Sequence, residues 1–345
     1  MSVEDDQNLL QIVQTRPDPD WLSVSREDPI EPDLPIIDAH HHFSEHWGGY
    51  MPADLIEDSQ GHNVVATVYV QCGWNYRSGG LERMRPVGEV ESVVDVTRQA
   101  NSKQSKTNLA AAIVGFADLR LGDTVDDVLA TQVAVGDGRF RGVRVNGTRH
   151  ATFRFGILPR PPFHLYTDPM FKEGYACLGR HGLSFDAWVY HTQLDDVAEL
   201  AAEFPSIPIV LNHLGGPIGV AGYQGHQDVT IKEWIPALKR VAQLPNITAK
   251  IGALGATVFG YDFVSRPAPP TSKELADAWR PLVEPVIETF GPDRCMFESN
   301  FPLDRSSGSY GVVWNAFKRL VSGTNAEDKR NLFHDTARRA YRIDQ

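Results

Sequence analysis

Long hydrophobic runs are missing from this 345-residue sequence: no apolar stretch approaches the roughly 20 residues that a membrane-spanning helix needs. The first residues, MSVEDDQNLLQIVQTRPDPD, lack the basic start and apolar run of a secretory signal, so a cytoplasmic location is expected. Cysteine is scarce. Cys72, Cys177 and Cys295 are far apart, odd in number and form no CxxC pair, which argues against a disulfide framework and a thiolate zinc site. Basic clusters longer than a pair are also lacking. With 33 basic against 44 acidic side chains and a formal charge of −11, neither nucleic acid nor a membrane is an expected partner. No G-x-G-x-x-G fingerprint follows any apolar run, so nothing points to a dinucleotide.

What is present is ordinary globular composition, 42% hydrophobic and 22% charged, enough to fill a sizeable core. Residues 1–33 are rich in Asp, Glu and Pro without a sustained period and read as an N-terminal arm. From Leu34 onward short apolar runs recur: 35-PIID, 64-VVATVYVQ, 110-AAAIVGFA, 140-FRGVRV, 183-LSFDAWVY, 207-IPIVLN, 247-ITAKIG and 294-RCMFES. Between them lie stretches of helical period, among them 87-VGEVESVVDVTRQAN, 124-TVDDVLATQVAV, 194-LDDVAELAAEF, 231-IKEWIPALKRVAQL and 273-KELADAWRPLVEPVIETF. Strands alternating with helices imply a parallel sheet covered by helices. Eight such units favour a single α/β domain over residues 34–345, a TIM-type (β/α)₈ barrel, over an open doubly wound sheet. Two long connections, about 146–166 and 254–271, are expected over the barrel mouth.

Three places carry chemistry. In 36-IIDAHHHF, Asp38, His40 and His42 alternate at a strand end, so period 2 puts them on one face and sends His41 the other way. Two such imidazoles can chelate a divalent cation or polarise a substrate oxygen; a surface histidine cluster is the competing reading. In 209-IVLNHLGGP, His213 leaves a later strand, where a structural role competes with delivery to the same mouth. In 294-RCMFESNFPLD, Glu298 and Asn300 alternate at the end of the eighth run and could serve as base, ligand or hydrogen-bond donor.

Together with RFRGVRVN, GLSFDAWVYHTQLDDVAELAAEFPSIPIVLNHLGGP and LFHDTARRAYRI, these motifs resemble the amidohydrolase superfamily of the amidohydrolase-related, family 2 type. The resemblance is to its lactonase-like branch, related to 2-pyrone-4,6-dicarboxylate lactonase and the sugar-acid lactonases. It implies that His40, His42 and His213 hold a metal or the substrate carbonyl. The branch's strand-eight motif is G-S-D-[WY]-P, whereas this chain reads Glu298-Ser299-Asn300-Phe301-Pro302, with a neutral amide where the carboxylate belongs. Glu298, two residues earlier on the same face, is the expected replacement; Asp304 is a weaker one. One divalent ion (Zn or Mn) on His40 and His42 and metal-free catalysis both stay open.

The expected reaction is water attack on a small cyclic ester or related carbonyl compound, the substrate bearing a carboxylate or a ring. Arg77, Arg144, Arg149, His150 and Arg154 are candidate carboxylate binders, and Trp74, Tyr76 and Tyr261 candidate walls. His191 is either a further ligand or a loop residue, and Lys250 either a mouth cation or a structural one. A metal-dependent non-oxidative decarboxylase and a non-catalytic small-molecule-binding barrel are the alternatives; a homo-oligomer is left open.

Overall fold

The computed structural model describes residues 9–24, 26–45, 49–101, 106–156 and 160–344. Its centre is a sheet of eight parallel strands, β1 (Ile36–His41), β2 (Val64–Val70), β3 (Asn108–Gly115), β4 (Phe140–Asn146), β5 (Ser184–Trp188), β6 (Ile209–Leu211), β7 (Ile247–Ile251) and β8 (Cys295–Phe297). They are hydrogen-bonded in chain order from β1 to β8. The residues just past β8 return to β1: Asn300 N donates to His40 O at 2.8 Å and His42 N to Phe301 O at 2.8 Å. This seam closes the ring.

A helix follows each strand: α1 (Pro52–Asp58), α2 (Val87–Asn101), α3 (Asp126–Val135), α4 (Pro169–Arg180), α5 (Leu194–Glu203), α6 (Gln227–Ala242), α7 (Ser272–Phe290) and α8 (Tyr310–Leu320). The helical periods anticipate α2, α3, α5, α6 and α7, although α6 starts four residues before the pattern at Ile231. The pattern passes over α1, α4 and α8, although Phe171, Tyr175 and Leu178 bury one face of α4 and Val313, Trp314 and Phe317 one face of α8. α7 begins at a capping box in which Thr271 and Glu274 exchange hydrogen bonds, and it runs through Pro281 and Pro285. Burial of Leu275, Trp279, Leu282, Val283 and Val286 on one face holds it despite the missing donors.

Alternation along β4 to β8 divides the chemistry. Outward residues such as Val143, Phe185, Leu211, Ile251 and Phe297 pack on the helices in one large apolar cluster. Inward positions on or one residue past the same strands are polar: Arg144, Asp186, Asn212, Lys250 and Glu298, all buried. The other half of the barrel lumen is apolar, with Val68, Val70, Ala112 and Val114. Tyr341, from the C-terminal segment, packs with Val210 and Met296 in that cluster, and its hydroxyl donates to Asp186 Oδ2 at 2.9 Å.

The segment ahead of β1 lies against this body. Leu10–Ile12 pairs in parallel with Phe153–Phe155, inside the connection after β4. Glu27 accepts from Ser272 N at 2.7 Å, and Lys318 donates to the carbonyls of Ile30 and Glu31. No described helix is long and apolar enough to cross a membrane.

Removing the Tyr341 hydroxyl leaves a buried carboxylate short of a donor. Tyr341→Phe is therefore expected to lower the unfolding free energy by about 1–3 kcal/mol, read as a shifted urea midpoint at unchanged slope.

Candidate active site

Glu298 is the hub. Just past β8, its carboxylate lies between two imidazoles: Oε1 accepts from His213 Nδ1 at 2.6 Å, and Oε2 lies 2.8 Å from His40 Nδ1. Oε2 is fully buried, and no hydrogen bond of acceptable angle reaches it from the described residues, His40 included. The ammonium of Lys250, on β7, stands 4.0 Å from Oε2 and 2.8 Å from Asp186 Oδ2 on β5. Asn212 Nδ2 also donates to Asp186, at 2.9 Å. Gly252 makes room for the hub, since a Cβ there would lie 2.5 Å from Glu298 Cγ.

The strand-one histidines converge beside it. Their rings are 4.7 Å apart and their Nε2 atoms 3.2 Å apart. His42 Nδ1 faces Val70 O at 2.7 Å, and a carbonyl only accepts, so His42 carries its proton there and presents a bare Nε2. Arg144 Nη1 lies 3.2 Å from His40 Nε2, while Nη2 donates to Gln71 O and Nε is buried without a partner. His41 turns away, toward Thr67 Oγ1 at 2.8 Å. Asp38 does not face the cavity. Its carboxylate takes Ser299 N, Ser299 Oγ and Tyr310 Oη, pinning the β1–β8 seam.

Burial, and next the ammonium of Lys250, hold His40 well below the ordinary imidazole range; burial, and next Arg144, do the same for His42. His213 is lowered by burial against the opposing pull of Glu298. All three imidazoles are thus neutral near pH 7, as metal binding or acceptance of a proton requires. The left-handed backbone at His213 (φ 54°), Leu214 (φ 57°) and Asn300 (φ 53°) stores strain of order 1 kcal/mol each at two strand ends that build the site.

Donor atoms of His40, His213 and Glu298 lie within 4.8 Å of one another, a set that could hold a divalent ion. Imidazole and carboxylate donors suit Zn or Mn, and the open Glu298 Oε2 is an acceptor of the kind such an ion would take up. His42, expected from the sequence as the second ligand, is outside that set.

Other expected site residues are spread out. Trp74 is buried beside Glu89, to which its backbone N–H donates. The Tyr76 phenol is pushed up by burial and next by the carboxylate of Glu89. Arg77 is ion-paired with Glu91. His191 Nδ1 accepts from Ile218 N, so its Nε2–H points at Glu233 on α6. His150 stacks on Phe153, and Arg154 reaches Gln11 of the arm. The Arg149 guanidinium lies over Phe163, and Tyr261 stacks on Phe263 and donates to Ala278 O. The Asn300 amide is spent on Asp304 Oδ1 at 2.8 Å, and Asp304 Oδ2 accepts from Gly255 N. Sequence reasoning missed Asp186, although it is the only charged residue inside the run LSFDAWVY and so stood out as an inward polar position.

The amidohydrolase family's sequence model matches residues 37–343. A protein of Sinorhizobium fredii known as uncharacterised protein y4mH is 32% identical over 295 residues, 85% of this chain and 86% of that one. The L-fucono-1,5-lactonase of Burkholderia multivorans is 26% identical over 320 residues, covering 89% and 96%. A crystal structure of a Burkholderia multivorans amidohydrolase with bound zinc superposes with a TM-score of 0.68 at 24% identity, covering 90% of this chain and 99% of that one.

Burial raises Asp304 to about 8, against an ordinary value near 4. Between those values the folded state holds a proton that the unfolded state has lost, so stability falls as pH rises through that window. Wild type is expected to lose about 4 kcal/mol between roughly pH 5 and pH 8.5 relative to Asp304→Asn, measured by urea unfolding at each pH.

Proposed function

Because the chain belongs to the amidohydrolase family and is a hydrolase, we propose that it opens small lactones, with a sugar-acid lactone as the substrate class. The observation that carries this reading is Glu298: a buried carboxylate with one oxygen anchored by His213 and the other open among His40, Lys250 and Arg144.

In this reading Glu298 Oε2 takes a proton from water as the water oxygen attacks the lactone carbonyl. His213, donating through Nδ1 to Oε1, fixes the carboxylate's orientation. The Arg144 guanidinium, a permanent cation beside His40 Nε2, stabilises the tetrahedral oxyanion. The ring C–O bond then breaks, and Glu298 returns its proton to the leaving alkoxide, releasing a hydroxy acid. Lys250 offsets charge around Glu298 and Asp186 throughout. A divalent ion on His40, His213 and Glu298 would supply Lewis-acid polarisation of the carbonyl. The similarity to an L-fucono-1,5-lactonase supports the substrate class, and a lactone is an activated ester that one carboxylate and one cation can open.

The test is a pH-stat assay of purified protein on a panel of sugar lactones that includes L-fucono-1,5-lactone. Hydrolysis of at least one is expected, and Glu298→Gln should lower kcat by about 10³-fold with KM within a few-fold. A panel hydrolysed no faster than in buffer alone would overturn the reading.

A further inference from the structure

The arm bridges loops that follow β4, β7 and β8 at one end of the barrel. Leu10–Ile12 is paired with Phe153–Phe155 in the connection after β4. Only two residues after Ile12, the Gln14 carboxamide is clasped on loops after β7 and β8. Its Nε2 donates to Gly255 O (3.1 Å), Leu303 O (3.2 Å) and Ser306 Oγ (3.2 Å), and its Oε1 accepts from Thr257 N (3.0 Å). Thr15 N adds a bond to Thr257 Oγ1 at 3.2 Å. β4 and β8 are half the ring apart, and a chain reaches at most about 3.5 Å per residue. Two or three residues span at most about 10 Å, so loops from opposite sides of the barrel lean together here and the arm bridges them.

The cluster on which it rests reaches the site. Ile12 and Phe155 pack on an aromatic cluster that includes Phe153, Trp188, Tyr190 and Phe259. Trp188 meets the His213 ring edge-on at 4.6 Å. A chain of ring contacts therefore runs from Phe153, the strand partner of Leu10, through Tyr190 and Trp188 to His213. The strap itself is light: a three-residue, two-stranded pairing with Leu10 and Val13 exposed, the kind of element that opens at little cost. It lies outside residues 37–343, the span shared with the family.

We infer that residues 10–15 are the roof of the substrate site and set how bulky a lactone it admits. The inference rests on the lactone-opening reading for its substrate class, but its first test does not. That test is labelling by diethyl pyrocarbonate, followed by mass spectrometry, of the full chain, a variant lacking residues 1–16, and the full-length variants Ile12→Gly and Gln14→Ala. Exposed His164 serves as internal control. His213 is expected to react roughly tenfold faster without the roof, and His164 at the same rate. The second readout is the ratio of kcat/KM for γ-phenyl-γ-butyrolactone to that for γ-butyrolactone, expected to rise about tenfold in the same variants.

Unchanged His213 labelling in variants with native circular dichroism would overturn the roof, and faster labelling with an unchanged ratio would overturn the size filter. If the truncated chain does not fold, the two point variants decide by the same criteria. Should no variant open either of these two lactones, the ratio is taken between a larger and a smaller sugar lactone that the full chain opens, and if it opens none the reaction reading fails while the labelling still decides whether the roof exists.

Discussion

Four buried charges inside one barrel govern what the rest of this molecule can do. Asp186 and Glu298 face Lys250 and Arg144 in the same lumen, with Lys250 2.8 Å from one carboxylate and 4.0 Å from the other. Ions held away from water persist only when each has a partner of opposite sign and hydrogen bonds for its remaining atoms. Asn212 and Tyr341 supply those bonds to Asp186, and His213 supplies one to Glu298. Among the described residues, Glu298 Oε2, Arg144 Nε and Asn212 Oδ1 are the atoms of this network left without a hydrogen bond.

The barrel makes such an arrangement possible because it brings inward positions from strands far apart in sequence to one level. His40 and Glu298 are 258 residues apart along the chain, yet their side chains lie at ion-pair distance. The seam that joins them is reinforced from both sides. Backbone bonds link residues 40–42 with 300–301, and Asp38 grips Ser299 and Tyr310. Burial lifts Asp38 to about 6, yet four donors hold it in place, so this carboxylate works as a structural clamp.

Much of the architecture was legible in the residues. All eight apolar runs are strands, because a barrel strand buried on both faces has to be apolar outside and compact inside. The alternation His40, His41, His42 also reads through: two rings meet and the third turns away. Positions beyond strand ends were less legible. His191 and Arg77 were plausible mouth residues by their place in the chain, but Glu233 and Glu91, each 14 or more residues distant, hold them elsewhere. Asn300 stands where a carboxylate was expected, and its amide secures the loop of Asp304. The arm's period-free composition carried no sign that Gln14 would clasp two loops on the far side of the mouth.

Sequence alone determined the (β/α)₈ class, the family, and the residue types from which a site could be assembled, because periodicity and local motifs are properties of short chain segments. Tertiary structure decided which carboxylate meets the imidazoles, which cations balance it, and what lies over the opening. Those outcomes depend on where side chains point after a strand ends. A left-handed residue such as His213, or a partner contributed by a distant loop, sets that direction, and neither is written in local sequence.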